Sequence, residues 1–526
     1  MLITVPNAAS PIPRRIANWR RPRHAAFALL LALFLVASAL TVPAAAAERR
    51  VPPQALAAAE AAPDTVQRVI VRRIERNRAA DAAVIRAGGR IIRDLGALDA
   101  FVALVPGRTL AALGRHAAIH SISPDAPMRT TTTIDSSRLA TCYPATVNAP
   151  QLWAQGVTGR GVGVAIIDTG INEKLTDFRD PTTGRVRIIN QKPIVTLKTS
   201  SSDKYGHGTH IAGVVGGNSC NRKENDLRCR YIGIAPEATL IDIKVTNDDG
   251  ISFVSDVVAA IEWVISERET YNIRVMNLSM VSSVAESYRT SVLAAAVERA
   301  WFSGILVVVS AGNNGPDTML YPPANDPFVI TVGAADMMGT PDRADDRLAP
   351  WSSYGVTQDG HLKPDVVAPG RAIVSLLSEP KAQLAEKRLE RIVNTHYLRL
   401  SGSSMAAPVV AGVAALAFQA HPEWTNDQVK WLVMNTAIKL GDPANPLPGQ
   451  GAGLVDAGAV VRYSGTPTFA NQGLTRSNLL VTADGTNVYS SANWSTANWS
   501  TANWSTANWS TANWSTVNWS TSIADE

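Results

Sequence analysis

Short apolar runs, rich in β-branched residues, recur between amphipathic stretches over residues 148–465. The apolar runs predict strands, and the amphipathic stretches predict helices. Strands are predicted at 162–167, 239–245, 274–278, 305–309, 329–332 and 364–367, and helices at 209–216, 255–266, 286–301, 404–420 and 425–437. Near-continuous apolar strands that alternate with helices are typical of a parallel sheet flanked by helices. We therefore predict an α/β domain whose ligands bind at the carboxyl ends of its strands.

A second, smaller pattern precedes this domain. Residues 66–124 predict strands at 66–71, 90–95, 100–105 and 119–122, with helices near 77–87 and 109–116. This β-α-β-β-α-β order is the split βαβ arrangement, and it predicts a small α+β domain over 66–128. The Ala- and Pro-rich residues 48–65 are predicted to be a linker.

The first 47 residues have the pattern of an export signal. Arginines lead into an apolar run at 25–42, and Ala44 to Ala47 offer a cleavage site before Glu48. The alternative is an uncleaved membrane anchor, because about 18 apolar residues is borderline for crossing a bilayer. We predict cleavage, secretion and no later membrane-spanning stretch.

The C-terminal residues form a repeat. From Ala492 to Thr521 the unit Ala-Asn-Trp-Ser-Thr occurs six times, with Val517 the only variation. A period of five suits neither one face of a strand nor one face of a helix, so we predict a flexible tail over 492–526, joined by a linker at 466–491. The alternative is a folded element whose tryptophans bind sugars or a surface partner.

Composition and charge narrow the function classes. The chain is 46% hydrophobic and 18% charged, which allows a sizeable core. Of the net charge of +5, residues 1–47 carry +5 and residues 48–128 carry +4, which leaves −4 on residues 129–526. The basic pI thus belongs to the N-terminal segments, and no electrostatic argument favours a nucleic-acid partner.

Two polar motifs follow predicted strands or begin predicted helices. Asp168 ends a strand and precedes Thr169 and Gly170; alone, this motif also resembles that of aspartic proteases, which need a second such carboxylate. His207 lies between two glycines at a predicted helix start. Its alternatives are a metal pair with His210 or a structural histidine.

Two further motifs complete the set. Ser404 lies in the first turn of a predicted helix, where its hydroxyl and backbone N–H are exposed, although a capping role is the alternative. Asn313 lies in a glycine-rich turn after a strand and can direct its amide at a developing oxyanion, although Asn-Gly is also an ordinary turn.

Together these motifs, in the order Asp, His, Asn and Ser, closely resemble the subtilisin-like serine proteases, or subtilases. The resemblance covers residues 145–463, within a peptidase domain predicted at 140–465, and includes the stretches 275–279, 363–370 and 451–457. It implies Asp168, His207 and Ser404 as the catalytic triad and Asn313 as an oxyanion donor. It further implies that Ser279, Met280 and Gly312 bind substrate.

The resemblance extends to the small N-terminal domain, which is similar to a subtilase propeptide. Such a segment would act as an intramolecular chaperone and inhibitor, and would be removed by a cut between about residues 128 and 142. Its positive charge complements the acidic peptidase domain.

Several departures limit what the resemblance implies. Met280, Val281 and Ser282 replace the usual pocket sequence, and a charged insertion at 379–398, predicted to be helical, precedes the nucleophile. The usual calcium loop is replaced by the stretch between Cys220 and Cys229, so structural calcium is possible but unsupported. These two cysteines could form a disulfide that leaves Cys142 over, although three free thiols are the alternative. No Cys/His cluster has zinc spacing, and we predict no metal site.

These observations predict a secreted, monomeric serine endopeptidase that needs no cofactor for its chemistry and acts on protein or peptide substrates. Its own propeptide is the expected partner, with no nucleic acid and no membrane after signal cleavage. The alternative is a catalytically inactive, surface-binding protein that acts through the Trp-rich tail.

Overall fold

The computed structural model describes residues 50–480, except 76, 126–135, 225 and 442–446, together with the backbone of 516–518. The predicted export signal and the predicted flexible tail, apart from 516–518, lie outside the described residues. The chain divides into two compact units, Met1–Arg129 and Thr130–Glu526.

The N-terminal unit is an antiparallel sheet with helices, in strand order β2-β3-β1-β4. Its elements are α1 (Pro53–Ala61), β1 (Val66–Arg73), α2 (Ala79–Arg86), β2 (Arg90–Leu95), β3 (Ala100–Pro106), α3 (Leu110–Gly114) and β4 (Ile119–Pro124). The order from β1 to β4 is the predicted one. The core includes the fully buried Val71, Phe101 and Ile119.

The prediction of a linker at 48–65 is corrected by α1. The proline in the first turn of α1 suits a helix start, since that position has no intrahelical use for an N–H. Val51 and Ala59 are buried in the same core as β1 and β3. This segment is therefore part of the folded N-terminal unit.

The C-terminal unit is built on an eight-stranded sheet in the order β13-β12-β11-β9-β5-β7-β6, with β16 paired to β12. Its strands are β5 (Gly163–Asp168), β6 (Ile188–Asn190), β7 (Thr239–Lys244), β9 (Ile273–Leu278), β11 (Leu306–Ser310), β12 (Ile330–Asp336), β13 (Arg347–Leu348) and β16 (Val366–Pro369). All pairings are parallel except that of β12 with β13. Strand β5 is buried at every position, as its apolar sequence predicts for a sheet covered on both faces. The predicted α/β fold is confirmed.

Helices occupy the connections and the later part of this unit. They are α4 (Tyr143–Thr146), α5 (Ala149–Trp153), α6 (His207–Gly216), α7 (Val254–Ser266), α8 (Val292–Phe302), α9 (Gln383–Glu386), α10 (Ser403–Ala420), α11 (Asn426–Asn435) and α12 (Ala457–Val461). Helix α10 packs against β9, β11 and β12. It is the single helix of the described residues with the length and hydropathy to cross a membrane, and 89% of that window is buried inside the protein. The prediction that no later stretch is long and apolar enough to span a membrane is therefore corrected, because this core helix meets both criteria.

The remaining strands are short and form small sheets. They are β8 (Ser252–Phe253), β10 (Val281–Ser282), β14 (Gly355–Val356), β15 (Leu362–Lys363), β17 (Ile373–Leu376), β18 (Ile392–Val393), β19 (Tyr397–Leu400) and β20 (Thr516–Asn518). β14 pairs with β15, β19 lies between β17 and β18, and β20 lies between β10 and β8.

Two predicted helices differ from the structure. The insertion at 379–398 is helical only in α9 and a 3₁₀ turn, because β18 and β19 turn back to extend the sheet of β17. The helix predicted from residue 286 begins at Val292, where the Ser291 hydroxyl caps it by accepting from the Ala294 N–H. The preceding Tyr288 is buried and donates its hydroxyl to the Thr475 carbonyl, a tertiary contact that holds this segment before the helix.

The predicted linker at 466–491 packs against the C-terminal unit as far as it is described. The backbone N–H of Ser477 donates to both carboxylate oxygens of the buried Glu298, each at 3.0 Å. Leu480 is 5% exposed at the end of a 3₁₀ turn. The folded part of this unit therefore continues past residue 465, where the peptidase domain was predicted to end.

Candidate active site

Three neighbouring strands deliver polar residues to one edge of the sheet. Strands β11, β9 and β5 are adjacent and parallel. Asp168 is the last residue of β5, Ser279 follows β9, and Asn313 lies three residues after β11. Parallel strands end at the same edge, so these residues meet where an α/β sheet is expected to bind its ligand.

Asp168 and His207 form the central contact. The Nδ1 atom of His207, the first residue of α6, lies 2.8 Å from Asp168 Oδ1. Both side chains are fully buried. A carboxylate partner places the proton on Nδ1, which leaves Nε2 of the neutral imidazole as the proton acceptor.

The glycine after His207 is required by close packing. A Cβ on Gly208 would lie 2.3 Å from the Gly170 carbonyl oxygen and 3.0 Å from Asp168 Oδ1. Real Cβ atoms do not approach a backbone oxygen so closely. The small residue therefore lets α6 begin directly against the end of β5, and so places His207 beside Asp168.

A buried carboxylate that was not predicted from the sequence stabilises the contact between the end of β5 and the start of α6. Asp203 is 1% exposed and accepts from the Thr169 hydroxyl, the Gly206 N–H, and the N–H and hydroxyl of Thr209, at 2.6–2.9 Å. Burial raises the pKa of Asp203, and these donors act to lower it. Thr169 Oγ in turn accepts from the Gly208 N–H at 2.7 Å. Asp203 thus joins the end of β5 to the start of α6, and its place four residues before His207 was the available signal.

Ser404 lies in the first turn of α10 and is buried against the strand edge. Its hydroxyl donates to the Ser279 carbonyl at 3.2 Å, and the Ser279 hydroxyl donates to the Ser404 carbonyl at 2.9 Å. Asn277 Nδ2 donates to the Ser279 hydroxyl at 2.9 Å. Ser279, predicted to bind substrate, therefore also connects the end of β9 to Ser404.

Asn313 is held by its carbonyl oxygen. Asn313 Oδ1 accepts from the Ser403 N–H at 2.9 Å, which assigns the opposite side of the amide to the Nδ2 donors. A Cβ on Gly402 would lie 3.3 Å from Asn313 Nδ2 and 3.7 Å from the Ser404 backbone nitrogen. The same Cβ would lie 3.5 Å from Met405 Sδ, so a side chain at residue 402 would occupy the position beside both donors, where an oxyanion would bind.

The other two predicted substrate-binding residues lie at the same edge. The Gly312 N–H donates to the Ser403 hydroxyl at 3.0 Å, so this glycine joins the turn after β11 to the start of α10. Met280 follows Ser279 directly, and its side chain is buried in the hydrophobic core. Substrate binding by these residues stays a prediction.

His210 has a structural environment. It is fully buried, and its Nε2 lies 3.0 Å from the Leu398 carbonyl and 3.2 Å from the Ile373 carbonyl. Burial lowers its pKa to about 3, so it is neutral. Because His207 contacts Asp168 and His210 contacts backbone carbonyls, the metal-pair alternative has no geometric support. Over the described ranges, no group of three or more His, Cys, Asp or Glu side chains is placed to hold a metal ion.

The cysteines pair as the sequence suggested. Cys220 and Cys229 form a disulfide, with their Cα atoms 4.2 Å apart. Cys142 is a free, half-buried thiol whose Sγ lies 3.9 Å from the Met337 sulfur. Burial raises its pKa, which disfavours the reactive thiolate.

Known families and proteins are similar in sequence to the C-terminal unit. The Subtilase family profile matches residues 159–453. The chain is 38% identical over 304 residues to "Serine protease AprX" of Bacillus subtilis (strain 168), which covers 57% of this chain and 66% of that protein. It is 32% identical over 316 residues to "Subtilisin BL" of Lederbergia lenta, which covers 60% of this chain and 96% of that protein.

A solved structure has the same fold. Fervidolysin from Fervidobacterium pennivorans, described as a keratinolytic enzyme related to subtilisin, superposes with a TM-score of 0.50 at 23% sequence identity. The match covers 77% of this chain and 62% of that chain. At this identity the match concerns the fold alone.

Proposed function

Because the chain belongs to the subtilase family, we propose that it is a serine endopeptidase that hydrolyses peptide bonds through Asp168, His207 and Ser404. The observation that carries this proposal is the buried 2.8 Å contact between His207 Nδ1 and Asp168 Oδ1 at the strand edge that also holds Ser404. A buried carboxylate that fixes one imidazole nitrogen makes the other a directed base.

The first chemical step uses the hydroxyl of Ser404 and the imidazole of His207. Ser404 Oγ attacks the peptide carbonyl carbon, and His207 Nε2 takes the hydroxyl proton. Asp168 holds the Nδ1–H tautomer and stabilises the imidazolium that forms. The imidazolium then gives its proton to the leaving amine, and water hydrolyses the acyl-enzyme by the same route in reverse.

The oxyanion of the tetrahedral intermediate forms beside Gly402. Asn313 Nδ2 and the Ser404 backbone N–H supply the two donors. Ser279 and Gly312 position the ends of β9 and β11 around the scissile bond, and Met280 continues the substrate-binding segment.

Active-site labelling tests this function. We expect a fluorophosphonate probe to label the purified protein at Ser404 and to abolish peptidase activity. Ser404→Ala should lose both labelling and about 10⁶ in kcat, the size known for subtilisins themselves. Ser401→Ala, three residues earlier, is the matched control and should keep both. A folded protein with neither labelling nor activity would instead support the alternative, a catalytically inactive protein that binds a surface through its Trp-rich tail.

The N-terminal unit acts as an inhibitory propeptide in this proposal. Residues 48–128 carry +4 against −4 for residues 129–526, which favours association of the two segments. We place the cut between residues 128 and 142, a range that lies partly outside the described residues. N-terminal sequencing of the active product tests this, and an active chain that still begins near Glu48 would contradict it.

We further propose that the protein is secreted and acts outside the cell as a monomer on protein or peptide substrates. The export signal predicted at residues 1–47 supports this location, as does the similarity to subtilisins. Comparing activity in the medium and in cells, for the intact chain and a chain without residues 1–47, tests the location. Activity that stays with the cells for the intact chain would contradict it.

A further inference from the structure

The strand β20 lies in a small sheet beside the proposed nucleophile. In this sheet β20 is central, with β10 on one side and β8 on the other, and both pairings are antiparallel. Among the described elements, β8 and β10 pair with no other strand. The Ser282 N–H donates to the Pro322 carbonyl at 2.7 Å, and β20 supplies the strand pairing of both β8 and β10.

The position of β10 connects this sheet to the catalytic site. Strand β10 begins at Val281, two residues after Ser279, whose carbonyl accepts the Ser404 hydroxyl at 3.2 Å. A chain segment that pairs with β10 therefore runs along the backbone that leads to Ser279, the residue that contacts Ser404.

The register gives the direction of the tail strand. Val517 is opposite both Ser252 and Ser282, and Asn518 is opposite Val281. Along β20 the partner residue thus moves from Ser282 towards Ser279 and the nucleophile. The part of a substrate on the amino side of the scissile bond, which becomes the acyl group, must approach Ser404 in this same direction.

The sequence of the repeat singles out this strand. Val517 is the only departure among six otherwise identical units, and it is the central residue of β20. Valine favours strands more than alanine does, because its β-branched side chain suits an extended backbone. The one substitution in the repeat therefore falls where strand pairing is observed.

We propose that the C-terminal tail is an intramolecular ligand of this enzyme, whose segment Thr516–Asn518 adds as a strand between β8 and β10 and competes with the substrate. The competition with substrate rests on the proposed peptidase function, whereas the docking of the strand does not depend on it. Residues 481–515 lie between the folded unit and β20, and an extended chain spans at most about 3.6 Å per residue, so a link of up to about 120 Å is available to reach the site.

Disulfide cross-linking tests the docking without any catalysis. Directly opposite residues of antiparallel strands have Cβ atoms about 4.5–5.5 Å apart, which is close to what a disulfide needs. In the full chain carrying Ser404→Ala, we expect the pair Val517→Cys and Ser282→Cys to cross-link at least tenfold more than the pair Ala512→Cys and Ser282→Cys. Ala512 is the equivalent residue of the preceding unit, so it is the matched control. Equal yields, measured by peptide mass mapping, would overturn the proposal.

Steady-state kinetics test the competition. Val517→Pro removes a backbone N–H from the centre of β20, so it should release the strand. A competing ligand raises the apparent KM by a factor of 1 + [L]/Kd, and a tethered ligand has an effective concentration of about 1 mM. For a weak ligand with a Kd of about 0.1–0.5 mM, we therefore expect Val517→Pro to lower KM for a small peptide substrate about three- to tenfold with kcat unchanged. Ala512→Pro should leave KM as it is, with the intact C-terminus verified by mass in each preparation. An unchanged KM for Val517→Pro would overturn the inhibitory role. If no variant has activity, the proposed function fails while cross-linking still decides the docking.

Discussion

Two substitutions at Asn313 should separate its structural role from its catalytic role. Its Oδ1 accepts from the buried Ser403 N–H at 2.9 Å, and its Nδ2 faces the space beside Gly402. Asn313→Ala removes both functions, whereas Asn313→Asp keeps an acceptor for Ser403 and replaces the donor with a carboxylate oxygen.

The sizes of the two effects follow from these contacts. Loss of one oxyanion donor costs about 2.7–4 kcal/mol, or 10²–10³ in kcat, a range known for the subtilisins themselves. Asn313→Ala also leaves the Ser403 N–H without its acceptor, which lowers the free energy of unfolding by about 1–3 kcal/mol. Asn313→Asp should unfold closer to wild type, yet lose more kcat than Asn313→Ala, because a negative charge then faces the oxyanion.

Two assays measure these effects independently. Urea denaturation of protein blocked at its active site gives the free energy of unfolding, and hydrolysis of a peptide substrate gives kcat and KM. KM should change little, because the donor acts on the transition state. If Asn313→Asp keeps kcat within threefold of wild type, the amide does not face the oxyanion and the assignment is wrong.

Three further changes test other parts of the structure. Gly208→Ala places a Cβ 2.3 Å from the Gly170 carbonyl oxygen, so we expect α6 to shift and kcat to fall about 10²-fold. An unchanged kcat would show that the backbone relieves this contact without moving His207. Burial, and then repulsion from a neighbouring carboxylate, raises the pKa of Glu298. The folded chain thus binds this proton more tightly than the unfolded chain, and stability falls as pH rises above the ordinary glutamate pKa of about 4.3. Glu298→Gln should flatten the dependence of Tm on pH above pH 5, and an equal slope would contradict this. Replacing Cys220 and Cys229 by serine opens a short loop and should lower the free energy of unfolding by about 2–3 kcal/mol with kcat unchanged, whereas a large loss of kcat would show that the loop acts on the site.

The sequence predicted the fold because its apolar runs are long and its site motifs are local. Strand β5 is buried at every position, and its apolar run ends directly before Asp168, the last residue of the strand. The glycines beside His207 and the small residues after Ser404 signal helix starts packed against backbone. Such patterns can be recognised in a single sequence because each depends only on residues that are neighbours in the chain.

Features that depend on distant contacts were not predictable in this way. The insertion at 379–398 has helix-forming charges, but β18 instead pairs with β19, and β19 pairs with β17, which lies before the insertion in the chain. Asp203 lies four residues before His207, yet its role depends on Thr169, which is 34 residues away in sequence. In both cases the feature depends on a contact with residues that are distant in sequence, and in the insertion this contact overrides local helix propensity.

The tail shows why a repeat can conceal a local function. A period of five does not suit one face of a long strand that covers a surface. A strand inserted between two others needs only a few residues of extended backbone, and its main-chain hydrogen bonds carry no sequence signature. The three residues of β20 meet that smaller requirement, and the single valine in the repeat lies at their centre. Irregularity within the repeat, more than its period, therefore identifies the segment that the enzyme binds.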